Sequence, residues 1–109
     1  MVGGFEVVTL CGITKFKEEF LRVQKELTLQ GKIVLSVGLF GHSGDNEIWE
    51  GMAKGILTKT KLMLDEIHKR KIDMCDYIFV INKNGYIGES TKSEIEYAIK
   101  NGKGIKYLE

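Results

Sequence analysis

The run "GYIGESTKSE", Gly85 to Glu94, brings three serine and threonine hydroxyls, two glycines and two carboxylates together just where an apolar strand gives way to a helix. Glu94 admits two readings. As part of Thr91-Lys92-Ser93-Glu94 it completes a capping box, in which the threonine oxygen takes the N3 backbone N–H and the glutamate reaches back to the cap. With Ser90 as the N-cap instead, Glu94 falls one place further on and its carboxylate is free to act on a ligand. A second candidate stretch is "CGITK" near the start. Gly12 allows close backbone approach, Thr14 offers a hydroxyl, Lys15 a charge, and a helix N-terminus favours anions, so the turn suits a phosphate. The competing reading is a plain strand-to-helix turn, capped by Thr14 with Lys15 in solvent. Neither GxxxxGK[ST] nor GxGxxG occurs, which disfavours an NTPase loop or a dinucleotide site.

The remaining chemistry-bearing residues give weaker signals. His42 lies in a polar, glycine-rich segment with Asp45, Glu47 and Glu50, whereas His68, in "DEIHKRK", reads as a solvated residue near a charged helix end. No HExxH or related spacing marks a zinc site, and Cys11 and Cys75 form no CxxC pair, so no metal and no disulfide framework is expected. Asp73 and Asp76 precede the strongest strand, and Asp73 is the favoured acceptor for a ribose hydroxyl.

These residues need elements to position them. Phe5–Cys11 ("FEVVTLC") reads as a strand, followed by a helix with Phe16, Phe20, Val23 and Leu27 on one side and Gly31 as its stop. Lys32–Val37 ("KIVLSV") reads as a second strand buried on both faces. Gly38–Leu57 is expected to be a long loop, a feature that is often functional. Thr58–Lys71 reads as a helix, Asp76–Asn82 ("DYIFVIN") as the strongest strand, the stretch around Glu94 as the last helix, and Gly104–Glu109 ("GIKYLE") as a fourth strand. Strands alternating with helices imply right-handed crossovers and a doubly wound parallel α/β sheet of about four strands, for which the common order is 2-1-3-4. Ligands then bind beyond the carboxyl ends of the strands, where the loops after the first and third strands meet.

At 109 residues and 43% hydrophobic content the chain, 1–109, makes one domain. Sixteen basic against fifteen acidic residues leave a net charge of +1, so any anion site is local and no nucleic-acid polymer is expected as a partner. No segment approaches the about 20 apolar residues of a membrane span, and no export signal is evident, so the expected location is the cytoplasm.

"VVTLCGITKF", "HKRKIDMCDYIFVIN" and "GYIGESTKSEIEYAIKNGKGIKYLE" together resemble the nucleoside 2-deoxyribosyltransferase superfamily, including its nucleoside 5′-monophosphate N-glycosidase branch. The resemblance covers nearly the whole chain, least so in Gly38–Leu57. It implies a flavodoxin-like sheet, cleavage or transfer at the N-glycosidic bond of a nucleoside or nucleotide, no cofactor, and a homodimer or higher homo-oligomer. Glu94, opening an ExxxA turn with Ala98, matches the family nucleophile. Gly12 and Ile13 match the first-loop backbone, Thr14 lies in the same loop, and Ser90 and Thr91 match a sugar- or phosphate-contacting loop. Lys15 stands where the phosphate-binding branch has arginine, and Gly88 where aspartate or serine is common. The alternative is a non-catalytic nucleotide-binding module of the same fold.

Overall fold

The computed structural model describes residues 1–40, 50 and 52–109. Its order is β1 (Val7–Gly12), α1 (Lys17–Leu29), β2 (Ile33–Leu35), α2 (Lys54–Met74), β3 (Tyr77–Ile81), α3 (Glu89–Lys100) and β4 (Gly104–Tyr107), with short 3-10 turns at Thr14–Phe16 and Lys83–Gly85. The strands form one sheet in the order β2-β1-β3-β4. Every pairing is parallel, with Val8 opposite Val34 on one side and opposite Tyr77 on the other. The doubly wound α/β fold expected from the alternation of elements is the fold observed.

Side-chain alternation along the two central strands builds the two cores. Val8 and Leu10 of β1, with Tyr77 and Ile81 of β3, pack on Phe20, Val23 and Leu27 of α1. The intervening residues Val7, Cys11, Ile78 and Val80 point the other way and pack on Ile72 of α2 and Ala98 of α3. A period of two in the strands against three and four in the helices thus sends alternate residues to opposite layers.

At the amino edge of the sheet, Asp76 ties β3 to β1: its N–H donates to Val7 O (2.8 Å), and its Oδ2 accepts from Val7 N–H (2.7 Å). The Met1 ammonium and the Val7 N–H beside Asp76 hold its carboxyl below the usual aspartate range. A depressed carboxyl stabilises the fold above its unfolded pKa, and that contribution is lost as pH falls through the folded value. Asp76→Asn is therefore expected to flatten the acid limb of Tm against pH relative to the parent, read by circular dichroism.

Several boundaries differ from the sequence reading. β2 is three residues long, and it is an edge strand with Ile33 exposed and Val34 and Leu35 half-buried, not a strand buried on both faces. Periodicity cannot distinguish an apolar edge from an apolar centre, since only the pairing order puts β1 and β3 inside. α2 starts at Lys54 and continues to Met74, so the last residues of the expected loop are helical and His68 lies within the helix, not near its end. His42, Asp45 and Glu47 lie outside the described residues. No helix among the described residues is long and apolar enough to cross a membrane.

Candidate active site

A cleft of about 830 Å³ opens beyond the carboxyl ends of the strands. Gly12 and Thr14 after β1, Val37 to Leu39 after β2, and Ser90, Ser93 and Glu94 after β3 line it. From α2 come Lys61, Leu64, Asp65, His68 and Lys71, which recur at three- and four-residue steps and so share one helix face. This is the position at which open parallel sheets bind ligands, since β1 is flanked by strands whose crossovers run over opposite faces.

Three side chains converge at the floor. Cys11 Sγ lies 3.4 Å from His68 Nε2, and the same nitrogen lies 3.3 Å from Glu94 Oε2. Cys11 is fully buried, and the His68 and Glu94 side chains are only 14% and 18% exposed. Glu94 Oε2 is itself buried and accepts no well-formed hydrogen bond among the described residues. Ligand-capable atoms of all three residues lie within 4.8 Å of one another, close enough to converge on one cation.

Burial governs the protons here. It pushes the Glu94 carboxyl up to about 8, with the nearby Asp65 charge adding to the effect. It pushes the His68 imidazole down to about 4, helped by the Lys71 ammonium. The Cys11 thiol is raised well above its ordinary value by burial, then by the Glu94 and Cys75 charges. The His68–Glu94 pair therefore holds one proton in total across the neutral range, on Glu94. Desolvation outweighs the pull of the α3 N-terminal dipole on Glu94, because the carboxyl lies inside the cleft wall.

That balance has a measurable consequence for stability. Glu94 is raised from 4.5 to about 8, so its contribution is fully present below 4.5 and declines as pH rises towards 8. His68 is lowered from 6.5 to about 4, so its contribution is present above 6.5 and declines as pH falls towards 4. Between 4.5 and 6.5 the two slopes oppose each other, because folded and unfolded chains each hold one proton on the pair. From 6.5 to 8 only the folded chain holds it, and stability falls by at most about 2 kcal/mol. Glu94→Gln is expected to remove that decline. Urea midpoints of both proteins across this range, with a chelator present, check it; parallel curves for parent and variant contradict it.

The cap question is decided by where α3 begins. Gly88 is its N-cap and makes no side-chain cap bond, so Ser90 and Thr91 are both inside the helix and Glu94 is in its second turn. Glu94 is not a capping residue. Ser90, one turn before it, faces the cleft, whereas Thr91 is buried and is not among the lining residues.

The other expected site residues divide. Gly12 and Thr14 line the cleft; Ile13, Lys15 and Gly88 do not. Lys15 Nζ stands over the rings of Phe16 (5.4 Å) and Tyr86 (5.5 Å). Asp73 is a correction: its carboxylate takes the Arg70 Nε–H (3.0 Å) and the Tyr97 hydroxyl (2.6 Å), away from the cleft. A residue that precedes a parallel strand lies at the sheet's amino edge, and ligands bind at the opposite edge.

Compared with protein-family models and with curated proteins, the chain matches none of either. The site is therefore characterised by its geometry.

Sequence reasoning missed His68, Cys11 and the lysines of α2. A signal for His68 was present. It stands four residues after Leu64 and four before the buried Ile72, which puts it on the sheet-facing side of α2 despite the charges around it. Cys11 shares the β1 face of Val7, by the same alternation that sends Val8 and Leu10 to α1.

Proposed function

We propose that the protein cleaves or transfers at the N-glycosidic bond of a nucleoside or nucleoside 5′-monophosphate, with Glu94 as nucleophile. The observation that carries this reading is the Glu94 carboxyl in the wall of the strand-end cleft, beside an imidazole able to exchange a proton with it. The resemblance of the sequence to the deoxyribosyltransferase superfamily points the same way. In the proposed step, ionised Glu94 attacks C1′ while the C1′–N bond breaks and its electron pair leaves on the base nitrogen. His68, which carries the pair's proton when Glu94 is ionised, gives it to that nitrogen. Water or a second base then displaces the carboxylate, with loss of the incoming group's proton to His68.

Lys61, Lys69 and Lys71 line the cleft and favour an anionic substrate, which moves the expected phosphate contact from Lys15 to α2. Subunit association belongs to the same reading. Ile56, Met63, Ile67 and Met74 are exposed and lie within one narrow stripe of α2, a face that a second copy would cover next to the cleft. Cys11 and Cys75 are free thiols, which accords with a cytoplasmic setting. The second reading, a nucleotide-binding module without turnover, is favoured by the burial that keeps Glu94 protonated near neutrality.

The experiment that tests the proposal incubates the metal-free protein with a panel of nucleosides and 5′-monophosphates, with and without an acceptor base, and follows free base by chromatography. Release without acceptor identifies a hydrolase, and exchange only with acceptor a transferase. Nucleotide-dependent rise in Tm without any base release identifies the binding module.

A further inference from the structure

We propose that Cys11, His68 and Glu94 form a binding site for one divalent transition-metal ion, with zinc as its natural occupant and its fourth position open to the cleft. Zinc bonds of about 2.3 Å to sulfur, about 2.0–2.1 Å to imidazole nitrogen and about 2.0–2.2 Å to carboxylate oxygen set tetrahedral edges of about 3.3–3.6 Å. The observed separations are 3.4 Å for Cys11 Sγ to His68 Nε2 and 3.3 Å for His68 Nε2 to Glu94 Oε2. The Cys11–His68 contact is a sulfur hydrogen bond, and both spacings are also those of ligands sharing a metal, with the third pair within 4.8 Å.

A second observation comes from Glu94 Oε2, which has His68 Nε2 at 3.3 Å but no well-formed hydrogen bond. Buried polar oxygens are almost always hydrogen-bonded. Glu94 Oε2 is buried and unsatisfied among the described residues. The neighbouring Lys71 does not relieve it, because its ammonium donates to Ser36 O at 2.7 Å. A cation between the three residues supplies the missing partner.

The donor set selects the metal. Thiolate and imidazole suit zinc and its neighbours, while magnesium and calcium require oxygen ligands. Thiolate and carboxylate together neutralise a divalent ion, which lowers the cost of holding it in a buried site. The ligands come from β1, α2 and α3, so no short-spacing motif announces them, and a bound ion would cross-link the sheet to both helices on that face.

The inference goes beyond the proposed activity: an ion at this position occupies the carboxylate that would attack C1′, so the metal-bound form is expected not to release base and the metal-free form to release it. Binding itself is read without substrate. Metal-free protein titrated with Co²⁺ is expected to show a thiolate-to-cobalt charge-transfer band and intense four-coordinate visible bands, saturating at one ion per chain and displaced by Zn²⁺. Cys11→Ser is expected to lose the charge-transfer band, and Cys75→Ser, whose Sγ donates to Ile72 O instead, to keep it. Glu94→Gln is expected to keep the fold and weaken Co²⁺ binding by at least about tenfold. No charge-transfer band in the parent, its persistence in Cys11→Ser, or unchanged affinity in Glu94→Gln would overturn the site. A cobalt spectrum without base release from the metal-free protein leaves the metal site and removes the glycosidase; base release without a cobalt spectrum does the reverse.

Discussion

Glu94→Gln is expected to lower base release by at least about 10³-fold while leaving nucleotide binding nearly unchanged. Removing a nucleophile eliminates the covalent route, whereas ground-state contacts from the rest of the cleft persist, so the loss falls on kcat and not on KM. The substitution preserves shape. It also removes the need to protonate a buried carboxyl on folding, so the variant is expected to be no less stable than the parent above pH 6.5, the unperturbed value of the neighbouring His68. A capping role makes the opposite prediction, a loss of about 1 kcal/mol with no specific effect on turnover. Chromatographic assay of base release and urea denaturation on the same two preparations separate these. Equal base release from parent and variant would remove Glu94 from the chemistry.

The largest expected effect on stability is at Gly12. Its φ is +151°, and a Cβ there would lie 2.9 Å from Ile81 O, 3.0 Å from Ile81 Cβ and 3.3 Å from the Phe20 ring. The first two contacts are with β3, the strand paired with β1, and cannot relax without parting the centre of the sheet. Overpacking costs about 1–3 kcal/mol and an unfavourable backbone region about as much again. Gly12→Ala is therefore expected to cost about 3–5 kcal/mol, a large share of the about 5–15 kcal/mol that holds a domain together. Gly38→Ala serves as the control, since nothing lies within 4 Å of its added Cβ, and it is expected to stay within about 0.5 kcal/mol of the parent. A Gly12→Ala protein that unfolds at the parental urea concentration would contradict the close approach. The glycine expected to admit a ligand is required first by β3, although it also lines the cleft.

The sequence by itself determined the order and type of the main elements, and through their alternation the parallel sheet. Those follow from local periodicity, whereas the strand order was the common one for such sheets and the pairing bears it out. "VVTLC" and "YIFVI" are apolar on both faces because both strands are central, and α1 carries Phe20, Val23 and Leu27 on one stripe. Placing Glu94 and Gly12 at the strand-end cleft followed from the same order, since carboxyl-end loops of neighbouring parallel strands must meet. The start of α3 was not legible, because Ser90 and Thr91 each satisfy the chemistry of a cap that Gly88 takes without a side chain. Asp73 was misplaced because its type suits a ribose while its position before β3 puts it at the wrong edge. What only the tertiary structure decided is the environment of the site. Cys11 and His68 are 57 residues apart in sequence, and their contact with each other and with Glu94 exists only once α2 and α3 lie on one face of the sheet. Burial follows from that packing, and burial sets which atoms hold protons, which oxygen lacks a donor and where a cation would fit. Desolvation depends on everything around a group in space, so the upward push on the Glu94 carboxyl comes from the fold and not from its place in the helix sequence.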